Sequence, residues 1–95
     1  MGHLQYGSDI QVDIDDRVLG HLEAAMISKL RRGEAFALRL DDATGARTVW
    51  VSSASLLVFS YADARPPINR AWLEALVETA NTPTGLRVVP EPVAP

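Results

Sequence analysis

The chain has 95 residues, 47% of them hydrophobic and 22% charged, with a net charge of −3 at neutral pH. That fits one small domain around one core, and the acidic balance argues against a general affinity for nucleic acid or anionic membranes. Cysteine is absent, His3 and His21 lie far apart, and Lys29 is the only lysine; thiol chemistry, a disulfide framework and a phosphate-loop lysine are therefore excluded.

No apolar run approaches the length of about 18 residues that a membrane span needs. The start, Met1-Gly2-His3-Leu4-Gln5-Tyr6, lacks the basic-then-apolar order of a secretory signal. The expectation is a cytoplasmic protein with no membrane partner. Leu4-Gln5-Tyr6 reads as a short strand, and Gly7-Ser8-Asp9 as a turn. Ile10-Gln11-Val12-Asp13-Ile14 alternates apolar and polar residues, the period of a half-buried strand, so the two pieces predict a hairpin. A helix begins at Asp15 or Asp16, whose carboxylates suit the free N–H groups and positive dipole of a first turn. Val18, Leu19, Leu22, Ala25, Met26 and Leu30 fall on one arc of it. Lys29 shares that arc, and its stem is expected to follow the core edge with the charge in water. Arg31 and Arg32 complement the negative helix end, and Gly33 suits the left-handed residue that terminates it.

Ala35 to Leu40 alternates again, with Phe36, Leu38 and Leu40 on one face. Asp41-Asp42-Ala43-Thr44-Gly45 reads as a turn and Arg47 to Val51 as the return strand. Ser52-Ser53-Ala54 breaks the pattern before a strand from Leu56 to Tyr61. A proline-stiffened loop leads to Asn69, a strong cap for a second helix carrying Trp72, Leu73, Leu76, Val77 and Ala80 on one side. A last strand, Leu86 to Val89, precedes a proline-rich tail over 90–95 that is expected to be extended or frayed. The order is β-β-α-β-β-β-α-β. It predicts a single α+β domain over 1–89, built as a two-layer sandwich: a mainly antiparallel sheet of five or six strands with both helices on one face.

Few residues carry recognisable chemistry. The aspartates 13, 15 and 16 lack the glycine and distal glutamate of a calcium loop, and neither histidine has acidic residues at ligand spacing. Ser52, Ser53 and Ser55 lack a nucleophile-elbow motif and read as turn residues. No catalytic residue, cofactor or metal is therefore expected. Two constellations could contact anions: Lys29, Arg31 and Arg32 at the end of the first helix, and Arg65, Asn69 and Arg70 around the start of the second. If Val49 and Val51 face the helices, Trp50 points to an uncovered sheet face, joined by Ala35, Ala37, Arg39 and Val58. A slip of one residue in register would instead place Trp50 in the core.

Several segments together carry a resemblance. They are Met1-Gly2-x-Leu4-x-Tyr6-Gly7, Ile14-Asp15-Asp16-Arg17-Val18-Leu19-x-His21-Leu22, Lys29-Leu30-Arg31-Arg32-Gly33-Glu34-x-Phe36, Val49-Trp50-Val51-Ser52 and Asn69-Arg70-Ala71-Trp72-Leu73-Glu74-Ala75-Leu76. From Met1 to about Pro92 the chain resembles a family of small actinobacterial proteins, many of which are labelled "ATP-dependent DNA ligase". The resemblance implies that label for this chain. Ligases of that type attach AMP to a lysine in a Lys-x-Asp-Gly motif, whereas Lys29 is followed by Leu30-Arg31-Arg32. The expectation is a non-catalytic interaction or accessory domain that self-associates through Arg39, Trp50 and Val58. The alternative is a DNA-associated accessory module without ligase activity of its own, using the arginine constellations on phosphates.

Overall fold

The computed structural model describes residues 1–42 and 45–93. The elements are β1 (Gly2–Tyr6), β2 (Ile10–Ile14), α1 (Asp16–Arg31), β3 (Phe36–Asp42), β4 (Gly45–Val51), β5 (Leu57–Ser60), α2 (Arg70–Ala80) and β6 (Leu86–Arg87). The α+β class and the β-β-α-β-β-β-α-β order are those expected from periodicity. Among the described residues no helix is long and apolar enough to cross a membrane.

The strands divide between two sheets of three, ordered β2-β1-β5 and β4-β3-β6, where the sequence reading places them in one. The β1–β2 and β3–β4 hairpins form as expected, both antiparallel. The β3–β4 pairing extends from Phe36↔Val51 to Asp42↔Gly45, so Asp41 and Asp42 belong to the strand; Ala43 and Thr44 of the expected turn lie outside the described residues. The difference arises at β5, which pairs antiparallel with β1 and not with its chain neighbour β4. A serine turn carries the chain across. Ser55 donates its N–H to the carbonyl of Ser52 at 3.0 Å, and the N–H of Ser52 donates to Ser55 Oγ at 3.0 Å. Gly7 then captures the Leu56 carbonyl at 2.8 Å, which seats the following strand against β1. The serine cluster is thus spent on a sheet-to-sheet crossing.

Each sheet keeps the alternation read from sequence. Leu4 opposes Val12 and Phe59 on the inner face of one sheet. Phe36, Leu38 and Leu40 share the inner face of the other with Val51, Val49 and, by parallel pairing, Leu86. Leu19, Leu22 and Met26 of α1 and Trp72, Leu76 and Ala80 of α2 complete one continuous core. The helices pack on each other, α1 also on β1 and α2 on β3 and β6. Asp15 caps α1 by accepting the N–H of Arg17, and Gly33 takes the left-handed conformation (φ 72°) expected of a helix stop.

Two close approaches explain glycines that periodicity leaves unexplained. A Cβ on Gly20, in the middle of α1, would lie 2.7 Å from both Cγ and Cδ of Pro66. A Cβ on Gly2 would lie 2.3 Å from the Ser60 carbonyl oxygen and 2.7 Å from Asp16 Oδ1. That Asp16 carboxylate accepts the N–H groups of Ala62 (3.2 Å) and Asp63 (2.9 Å), tying the loop after β5 to the start of α1. The bond from Asp63 is the main reason the carboxyl is held below its ordinary range.

Candidate functional site

The register of β3 on β4 decides the tryptophan. Trp50 opposes Ala37, and Arg39 opposes Thr48, on the face away from Leu38 and Val49. Trp50 is 62% exposed, so it stands on the surface and not in the core. Its carbonyl accepts a hydrogen bond from the Tyr6 hydroxyl, which joins the end of β1 to β4. Arg39 shares this outer face. Val58 does not: it lies on β5 opposite Gln5, in the other sheet. Of the three residues assigned to the interaction surface, two come together. The third is displaced because β5 crosses to β1.

The outer face carries one residue that the sequence reading did not single out. Parallel pairing of β3 with β6 sets Arg87 directly beside Arg39. The alternation Leu86-Arg87-Val88 was legible, but nothing in it identifies β3 as the neighbour.

The first anion constellation is only partly available. Lys29 is buried at 5% exposure, which corrects the expectation of a solvated ammonium. Its Nζ lies 3.0 Å from Glu34 Oε1 and donates to Asn81 Oδ1 at 2.7 Å, so the charge is compensated where it sits. Arg31 and Arg32 are exposed at the helix end.

The second constellation is dispersed: Arg70 is exposed on the first turn of α2, while Arg65 and Asn69 are engaged within the chain. Arg65 Nε lies 3.6 Å from Glu23 Oε1, and its guanidinium sits 5.7 Å from the Tyr61 ring centre. The Tyr61 hydroxyl donates to the same Glu23 oxygen at 2.6 Å; burial, then this bond, push the phenol above its ordinary range. Asn69 is buried and fully engaged. Its Oδ1 accepts the N–H groups of Ala71 (3.1 Å) and Trp72 (3.4 Å), capping α2. Its Nδ2 donates to Glu91 Oε2 and to the Pro92 carbonyl, both at 3.0 Å. Arg17 closes on the same carboxylate through Nε (2.8 Å) and Nη2. The carboxylate at this corner therefore belongs to the chain itself. Arg17, then Asn69, pull Glu91 down to about 2. Residues 89–92 are consequently fastened, with Trp72 Nε1 donating to the Val89 carbonyl at 2.8 Å, where the sequence reading has an extended or frayed tail.

A cavity of about 460 Å³ lies between β2 and the β3–β4 hairpin, with Val12, Ile14, Val18, Leu40, Arg47 and Val88 among its lining. Its walls mix aliphatic side chains with charged ones, Asp13 and Asp41 facing the same space as Arg39 and Arg87, and among the described residues no His/Cys/Asp/Glu group of metal-binding size occurs there or elsewhere.

A family model, a domain of unknown function designated DUF7882, matches residues 1–91. The chain belongs to the DUF7882 family. The match takes in the described helices and strands and Glu91, so the fastened tail lies within the family's domain as far as Glu91. No curated protein and no solved structure matches this DUF7882 chain.

Proposed function

We propose that this DUF7882 chain is a non-catalytic, cytoplasmic interaction domain that self-associates along β4. One observation carries the reading: Trp50 is 62% exposed on a strand that, among the described residues, is paired on one side only. A strand edge is a template for another strand, and natural edges are commonly guarded by lysine, proline or a bulge. β4 is seven residues long, contains no proline, and carries its one charged residue, Arg47, away from the Trp50 end. Edge-to-edge pairing of two copies would join their sheets and set both Trp50 side chains at the seam. Size-exclusion chromatography with light scattering tests this. The expected result is a dimer that becomes monomeric in Trp50→Glu and in Thr48→Lys. A monomer at high concentration, unchanged by Trp50→Glu, overturns it.

A nucleic-acid partner is the second reading, in line with the ligase label of the actinobacterial proteins this chain resembles. The specific support is Arg39 beside Arg87 on the Trp50 face. Ligation itself finds no support in the residues: Lys29 is buried against Glu34 and Asn81, outside any Lys-x-Asp-Gly motif.

A further inference from the structure

Arg39 and Arg87 oppose each other directly on β3 and β6, which places their backbones about 4.8 Å apart. Like charges in that arrangement repel. Both side chains are exposed, and neither forms an ion pair among the described residues. Arg87 Nη1 donates to Thr84 Oγ1 at 2.8 Å, a contact that steadies the guanidinium without neutralising it. Thr48 flanks Arg39 on the other side, and Trp50 stands two residue pairs further along, opposite Ala37. The sheet beside Ala37 carries no bulk, because Gly85 approaches so closely that a Cβ there would lie 2.6 Å from the Ala37 carbonyl oxygen. The result is an open sheet face with an exposed indole and two adjacent guanidinium groups that form no ion pair among the described residues, Asp41 standing two residues beyond Arg39 on the same face, on a chain whose net charge is −3.

We propose that this face binds single-stranded nucleic acid, with a base stacked on Trp50 and phosphates held by Arg39 and Arg87. The inference deepens the second reading above and rests on the same Trp50 surface. Charge and shape choose the occupant. Guanidinium groups match phosphate oxygens in a bidentate manner, and an exposed indole accepts the flat face of any base. A second copy laid face to face would bring two further arginines against these two. An acidic peptide would satisfy the arginines and leave the indole without a planar partner. A duplex hides its base faces, so the strand must be single.

The test is the anisotropy of a short labelled oligothymidylate titrated with the full chain at low salt. Binding is expected, with log K falling against log salt at a slope of about −1.4 for two phosphate contacts. Trp50→Ala is expected to weaken binding about tenfold, and Arg87→Gln to reduce the slope by about 0.7. Gln11→Ala, on β2 of the other sheet, should leave binding unchanged. Arg87 lies across the sheet from the β4 edge, so Arg87→Gln should keep any dimer intact; loss of nucleic-acid binding without loss of the dimer separates the two readings. Near-ultraviolet circular dichroism from buried Trp72 checks that each variant is folded. Absence of binding at low salt, indifference to Trp50→Ala, equal affinity for duplex, or equal affinity for polyglutamate overturns the proposal.

Discussion

The backbone N–H of Asn69 ends on Nε2 of His21 at 2.9 Å, joining the start of α2 to the middle of α1. Because Nε2 accepts there, Nδ1 carries the proton and donates to the Arg17 carbonyl at 2.7 Å. The ring is fully buried and packs on Trp72 with centroids 4.4 Å apart. A histidine with both nitrogens committed to backbone is a structural joint, unavailable as a metal ligand or general base.

Replacing His21 by alanine leaves the Asn69 N–H buried without an acceptor and opens a cavity beside Trp72. The expected cost is about 2–4 kcal/mol in urea denaturation. His21→Gln, which can offer an amide oxygen, should recover part of it. A His21→Ala variant as stable as the parent would mean the joint contributes nothing.

Glu91 couples the tail to acidity. Its folded value of about 2 lies below the ordinary 4.5, so its contribution to stability is complete above pH 4.5 and is lost as pH falls toward 2. Thermal melts of the parent and Glu91→Gln should therefore differ most near neutrality and converge in that acidic window. Parallel melting curves across the range would show that the Arg17–Glu91 contact does not anchor the tail.

Glycine is normally a poor helix residue, and alanine in its place typically gains about 1 kcal/mol. Gly20→Ala should do the opposite, because its Cβ would meet the Pro66 ring at 2.7 Å. A net loss of about 1–3 kcal/mol in urea is expected. Stabilisation would show that the loop holding Pro66 yields without cost.

Lys29 offers a chemical check on burial. An amine-reactive ester should modify the folded chain at its α-amino group and spare Lys29, whose Nζ is held by Glu34 and Asn81. In denaturant both amines should react, read by mass spectrometry. Lys29→Met should stay within about 1 kcal/mol of the parent, since an apolar side chain often replaces a buried ion pair without loss. Rapid modification of Lys29 in the native state would contradict its placement.

Local pattern made much of this molecule readable in advance. Asp15, Gly33 and Asn69 punctuate the helices where their capping chemistry says they should. Phe36, Leu38 and Leu40 bury the face their alternation marks. Lys29 lies on the predicted helical arc, but its burial depended on Glu34 and on Asn81 in the other helix's cap. Asn69 looked like an open anion contact, until Glu91 arrived from 22 residues away.

By itself the sequence determined which segments are helix or strand and which side of each is apolar, because periods of 2 and 3.6 residues are properties of the local backbone. Only the tertiary structure decided that β5 joins β1, that Val58 leaves the Trp50 face, and that Arg87 stands beside Arg39. Periodicity names a face but not a neighbour. Neighbours are chosen by packing between segments far apart in the chain, and the outer sheet face exists only once that choice has been made.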